Sequence, residues 1–303
     1  MKKIGVFELI FIEILVSIFT FILFGIIGAI TNYNSTRLGE RIFIDSTLII
    51  ILLIYGKANK NSICERFNDF KNKFNIKEIV LLYITLAVFS FGSSTVITAI
   101  IYKFNPQKAI KIMNENHYDV NNGLELIGVT IAIAILAPIL EELVFRRIIF
   151  KSFSRNIGII FGAILSSIIF GALHLDSAKA GAMIFGFIAC ILYEKYKNIL
   201  IPMSIHMLNN TSVSIFDIAG FFNGTLNKDI VSNINPSKDL IIGSILLIIA
   251  TIILGKYIYN NRKIFKKKNK TIGNEQVNIW IKINHLIRWF IFIHIASTPI
   301  VIL

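Results

Sequence analysis

Residues 7–30 form an apolar stretch whose only charges are Glu8 and Glu13. About 20 helical residues cross the hydrocarbon core of a bilayer, which is roughly 30 Å thick. No water reaches backbone groups in that core, so each must be satisfied within its own segment, and a stretch of this length is a helix. Comparable runs recur along the chain. They predict eight spans, at 7–30, 42–55, 79–102, 124–150, 157–175, 179–194, 199–222 and 239–259. The fold class is therefore all-α, a polytopic transmembrane helical bundle. Composition agrees: 55% of the 303 residues are hydrophobic, 16% are charged, and the mean hydropathy is +0.70. A soluble globular domain carries about 25% charged residues, so that class is excluded.

The first run is too long for the apolar region of a signal peptide and lacks a small-residue cleavage pattern, so it reads as an uncleaved span. Net charge is +13, but the basic residues lie between the apolar runs, so no nucleic acid partner is expected. They gather at the N-terminus and in 56–78, 145–156, 195–198 and 256–270, and are sparser in 31–41, 103–123 and 223–238. Basic loops stay in the cytoplasm, which places the N-terminus and residue 260 inside, in what reads as a bacterial plasma membrane. Between the second and third spans, Ile63, Phe67, Phe70 and Phe74 recur at helical spacing among lysines. That pattern predicts a helix lying on the membrane surface. Cys64 and Cys190 stand in different settings, and no disulfide or redox chemistry is expected. Residues 271–303 are apolar yet contain Lys282, His285, Arg288 and His294, and fit either an interfacial helix or a ninth crossing.

Charge inside a membrane is costly, at least ~2.5–3.5 kcal/mol per group, and where it persists it marks functional sites. The fourth run ends in EELVFRR, with Glu141, Glu142 and Arg146; the fifth holds His174; the seventh holds His206 and Asn210. Glu142 and Arg146 are four apart, the spacing of an ion pair on one helix face. His206 and Asn210 share a face for the same reason, as do Phe170 and His174. Pro138 removes a backbone donor one turn before Glu141 and disturbs the helix there. Glu13 reads as a structural or snorkelling residue. Together these residues predict a polar cavity between the fourth, fifth and seventh spans.

At these positions the chain resembles the CAAX protease and bacteriocin-processing (CPBP, formerly Abi) family, which includes the type II CAAX prenyl endopeptidases. EELVFR matches its EExxxR motif, FGALH its FxxxH motif and HMLNN its HxxxN motif. The resemblance covers about residues 124–215; the family often has Gly after the motif arginine, where this chain has Arg147. It implies an intramembrane endopeptidase in which Glu141, with His174, positions and activates the water. His206 and Asn210 would donate to the oxyanion. Glu142, Arg146 and Phe170 would support the site. The residues by themselves admit the same division of labour, because a poorly solvated glutamate can act as general base and paired donors can carry an oxyanion.

Glu141, His174 and His206 are also a legitimate zinc set. Against zinc stand the lack of an HExxH pattern and the placing of Asn210 one turn past His206. No cofactor is therefore expected, with zinc as the alternative. On this reading residues 1–123 hold the N-terminal spans and the interfacial helix, 124–222 the catalytic core and 223–260 the last core span. Residues 261–303 form a basic linker and an apolar segment. The partners are the lipid bilayer and a membrane-associated peptide or protein substrate. The competing function is a non-enzymatic bacteriocin immunity protein built on the same bundle. A proton-coupled transporter would call for an internal repeat, and none is visible.

Overall fold

The computed structural model describes residues 6–31, 37–56, 58, 60–114, 120–226 and 235–266. The expectation for 271–303 lies outside these residues. Among the described residues ten long or short helices, followed by a 3₁₀ turn at Arg262–Lys266, make up the regular structure: α1 Val6–Thr31, α2 Arg37–Tyr55, α3 Lys60–Lys73, α4 Ile76–Phe104, α5 Pro106–Met113, α6 Gly123–Ile157, α7 Ile159–Ala172, α8 Lys179–Tyr196, α9 Leu200–Phe222 and α10 Pro236–Asn260. Among the described residues there is no strand. Asparagine side chains start several of the helices. Asn75 caps α4 through Glu78 N at 3.2 Å, Asn122 caps α6 through Glu125 N at 3.0 Å, and Asn235 caps α10 through Lys238 N at 3.1 Å. Each satisfies one of the donors that a helix N-terminus leaves open. Four helices among the described residues are long and apolar enough to cross a membrane: α1 from Glu8, α4, α6 and α10. Their outward side chains are apolar, as with Phe21 of α1 and Ile252 of α10, which suits lipid contact.

All eight expected spans fall on helices, but three boundaries differ from expectation. α2 begins at Arg37 rather than at 42, so Arg41 belongs to a helix and not to a loop. α6 continues as helix through 151–157, past the expected end of the fourth span at 150. The third difference is the length of α7. α7 has only 14 residues, about 21 Å at 1.5 Å per residue, too short for a hydrocarbon core of roughly 30 Å. His174 follows its end in a turn and therefore lies part-way through the bundle.

α6 runs for 35 residues but is not uniformly α-helical. Two wider π-helical stretches, Ala132–Leu136 and Leu143–Phe150, flank an α-helical segment at Ala137–Glu142. Single π-turns inside α-helices are rare and often accompany functional sites.

α2 lies alongside α6 in parallel. A Cβ placed on Gly128 would meet Leu38 Cδ2 at 3.0 Å, and one on Gly56 would meet Arg147 Nη2 at 3.3 Å. α4 and α10 pack antiparallel through Gly92 and Gly243. A Cβ on Gly92 would sit 2.9 Å from Leu247 N and 3.0 Å from Gly243 O, a backbone approach that only glycine allows. At one end of the bundle Glu78 accepts from Lys195 Nζ at 2.7 and 2.8 Å, Tyr196 Oη at 2.5 Å and Tyr257 Oη at 2.6 Å. These contacts tie α4, α8 and α10 together. The surface helix α3 docks at the same end. Asn198 Nδ2 donates to Arg66 O at 2.8 Å and to Asp69 Oδ2 at 3.0 Å, and Lys73 Nζ donates to Tyr196 O at 3.1 Å. Hydrogen bonds from Lys73 and Asn198 hold the Asp69 carboxyl below its usual range. Phe70 of α3 and Phe74, just past its end, pack on the core, while Ile63 and Phe67 stay half exposed, as the amphipathic spacing predicts.

Candidate active site

The α-helical segment between the two π stretches ends on Glu141 and Glu142, both buried. One turn on, Arg146 returns its guanidinium to Glu142. Nη2 donates to Oε1 at 3.0 Å, and Nε lies 3.0 Å from Oε2. The second contact is an ion pair at short range but off hydrogen-bond alignment, since neither atom has an aligned partner. Both side chains are fully buried, so this is the i, i+4 pair expected from the sequence, closed away from solvent. His206 of α9 joins it, with Nδ1 at 3.0 Å from Glu142 Oε1. Its Nε2 stands 3.7 Å from Glu141 Oε2, beyond hydrogen-bond distance. Glu141 Oε2 is consequently a buried carboxylate oxygen with no hydrogen-bond partner.

An aromatic wall closes the cluster. Phe170 of α7 is 1% exposed and places its ring 4.7 Å from the Arg146 guanidinium carbon, a cation–π distance. The same ring lies 4.5 Å from the His174 ring and 5.8 Å from the His206 ring. Phe185 of α8 adds a ring 4.7 Å from His206 and 5.9 Å from the Arg146 guanidinium. His174 Nδ1 is 2.7 Å from Phe170 O. A carbonyl can only accept, so Nδ1 carries the proton there, and a neutral ring keeps Nε2 as an acceptor.

Asn210 occupies a specific place. Its Nδ2 donates to Ile133 O at 2.9 Å, and its Oδ1 accepts from Asn209 Nδ2 at 3.3 Å. The reason lies in the π stretch. Ala137 N bonds back five residues to Ala132 O. In that register the next carbonyl, Ile133 O, belongs to residue 138, which is proline and has no N–H. Asn210 supplies the missing donor from a neighbouring helix. Nδ2 has two hydrogens, so one remains for other use.

Glu141, Glu142, Arg146, Phe170 and His206 thus share one buried cluster. His174 joins it through Phe170, and Asn210 borders it at Ile133. Among the described residues no group of three His, Cys, Asp or Glu side chains is arranged to hold a metal ion, and Glu141, His174 and His206 do not form one. One contributor and one neighbouring ion pair were missed in the sequence. Phe185 lies in an ordinary-looking apolar helix. Arg41 of α2, the helix that runs beside α6, bonds the buried Asp45 Oδ2 through Nε at 2.9 Å. The signal available for it was Asp45, a lone carboxylate in an apolar run.

Sequence comparison points the same way. Residues 123–212 match the family described as type II CAAX prenyl endopeptidase Rce1-like. The chain is 28% identical over 175 residues to the membrane peptidase YdiL of Bacillus subtilis, covering 56% of this chain and 68% of that protein. It is 35% identical over 94 residues to the membrane-embedded CAAX protease MroQ of Staphylococcus aureus, covering 28% of this chain and 38% of that protein. No solved structure matches. The segment that carries all three motifs and the buried cluster is thus similar to the Rce1-like type II CAAX prenyl endopeptidases.

Proposed function

We propose that this protein is a multi-pass intramembrane endopeptidase that hydrolyses a peptide bond of a membrane-associated peptide or protein. The observation that carries the reading is the contrast within the glutamate pair. Both oxygens of Glu142 lie 3.0 Å from nitrogens of Arg146 or His206, while Oε2 of its neighbour Glu141 is buried without a hydrogen bond and 3.7 Å from His206 Nε2. In the reaction Glu141 takes a proton from water as the water oxygen bonds to the scissile carbonyl carbon. The same proton then passes to the leaving amine as the C–N bond breaks. His174 Nε2 is the acceptor that helps Glu141 hold the water. The second Nδ2–H of Asn210 is assigned to the oxyanion. His206 is assigned there too, in its imidazolium form, with Nδ1 donating to Glu142 and Nε2 left for the oxyanion. Removing one such donor costs roughly 10²–10³ in rate where it has been measured.

Similarity to membrane peptidases over the motif-bearing segment supports the protease class, and the four long apolar helices among the described residues support a substrate met in the membrane. The distribution of lysine and arginine along the sequence supports a cytoplasmic N-terminus. The test compares the membrane and secreted peptides of cells carrying the parent protein with those carrying Glu141→Ala at equal abundance. Peptides that appear only with the parent identify substrate and cleavage site. Equal peptide sets, together with preserved protection against a bacteriocin, would replace this reading with a non-enzymatic immunity role. Cleavage lost on chelation and restored by zinc would replace the glutamate mechanism with a metal one.

A further inference from the structure

The polar face of α9 does not stop at the buried cluster. Asn210 and Asp217 follow His206 by four and eleven residues, which puts all three within about 40° of one another on the helix at 3.6 residues per turn. Ser214 lies beside them, on the side where Ile218 and Phe221 pack against Leu126, Val129 and Ile133 of α6. It is 2% exposed, and its hydroxyl has no hydrogen bond among the described residues. On the other side of Asp217 the helix is open, with Val213 48% and Phe216 77% exposed. A carboxylate on a span is costly and normally faces a partner. Asp45 has Arg41 and Glu142 has Arg146. Asp217 is partly buried and has no hydrogen bond or ion pair among the described residues.

We propose that Asp217, with the Ser214 hydroxyl beside it, is a substrate subsite that binds a lysine or arginine side chain. The proposal rests on the protease reading and narrows its substrate to a peptide with a basic residue close to the cleaved bond. Asp217 lies seven residues from Asn210, about 10 Å along α9 at 1.5 Å per residue. An extended peptide advances about 3.3 Å per residue. One whose scissile carbonyl is held at Asn210 and that follows this face therefore brings about its third residue from the bond to Asp217. The open side at Val213 and Phe216 lets the peptide reach the face from the lipid. Asp217 supplies the countercharge and Ser214 Oγ a second acceptor for the ammonium or guanidinium donors.

The experiment uses the full chain in proteoliposomes and, as probes, synthetic peptides spanning the cleavage site found by the peptidome comparison. Each position from the fourth before to the fourth after the bond carries, in turn, lysine or glutamine. The parent is expected to favour lysine over glutamine at one position about three residues from the bond, by about tenfold in kcat/KM and mainly through KM. Asp217→Asn is expected to lose that preference and Asp217→Glu to keep most of it. Asp217→Lys is expected to favour glutamate at the same position. The ratio of lysine to glutamine peptide does not depend on how much of a variant is folded, so a loss of stability does not imitate the result. An equal lysine preference in the parent and in Asp217→Asn overturns the subsite, as does the lack of any lysine preference at these positions. Glu141→Gln runs beside them on the glutamine peptides. If it cuts them at the parent rate, the protease reading fails and takes the subsite with it.

Discussion

Glu78 at the start of α4 and Glu141 midway along α6 are both carboxylates drawn into the bundle, and their surroundings are opposite. Both oxygens of Glu78 are taken up, by Lys195, Tyr196 and Tyr257, with every distance between 2.5 and 2.8 Å. Glu141 adjoins Glu142 and faces His206, yet its Oε2 has no hydrogen bond and His206 Nε2 stands 3.7 Å off. Most buried polar groups in native proteins are satisfied, and the exceptions call for an explanation. A saturated carboxylate has no lone pair left for a substrate and works as a clamp. The proposed function gives the unsaturated oxygen of Glu141 a chemical use. Glu142 stands between the two, taken up by Arg146 and His206 so that its neighbour need not be.

The comparison breaks first, and hardest, at Arg146. Arg146→Ala strands Glu142 as a buried charge and withdraws the guanidinium from Phe170, so a loss of about 3–5 kcal/mol is expected. Melting in detergent reads it; a variant that melts like the parent would mean that Glu142 is not held as described.

Asn210→Ala comes next. It exposes the Ile133 carbonyl that Pro138 cannot serve, at about 1–3 kcal/mol. Adding Pro138→Ala returns a backbone N–H in the i−5 register and should recover much of that stability, a coupling that a double-mutant cycle measures. Unchanged melting in Asn210→Ala, with turnover down 10²–10³-fold, would give Asn210 to the oxyanion alone.

Glu78→Gln tests the clamp from the other side, with a smaller stability loss of about 1–2 kcal/mol and unchanged turnover per folded molecule. The smallest expected effect is that of a strong chelator, which should leave cleavage by the purified protein within error of its starting rate.

Much of the candidate site was legible because lipid punishes charge. Glu141, Glu142, Arg146 and His206 stand out in apolar runs, and the i, i+4 spacing of the ion pair survives as a 3.0 Å contact. What stayed hidden depends on backbone detail that hydrophobic patterning does not encode. Arg41 looked like loop because α2 starts earlier than its apolar run. The depth of His174 was obscured because an apolar stretch does not reveal where a helix stops, and α7 ends at Ala172. The partner of Asn210 was out of reach because a π stretch changes which carbonyl a proline abandons. Phe185, one aromatic among many, became visible only through its 4.7 Å approach to His206.

The central claim is that Glu141 is unsaturated because it handles the proton of water. The most direct measurement is single-turnover cleavage by Glu141→Gln, taken beside its melting temperature and beside those of Glu78→Gln. Cleavage is expected to fall by about 10²–10⁴ with melting at or above that of the parent, since a buried carboxylate whose Oε2 has no hydrogen bond has been made neutral. Glu78→Gln should show the reverse pattern. Cleavage by Glu141→Gln at the parent rate, or a loss that follows a lowered melting temperature, would contradict the account and make Glu141 a structural carboxylate like Glu78.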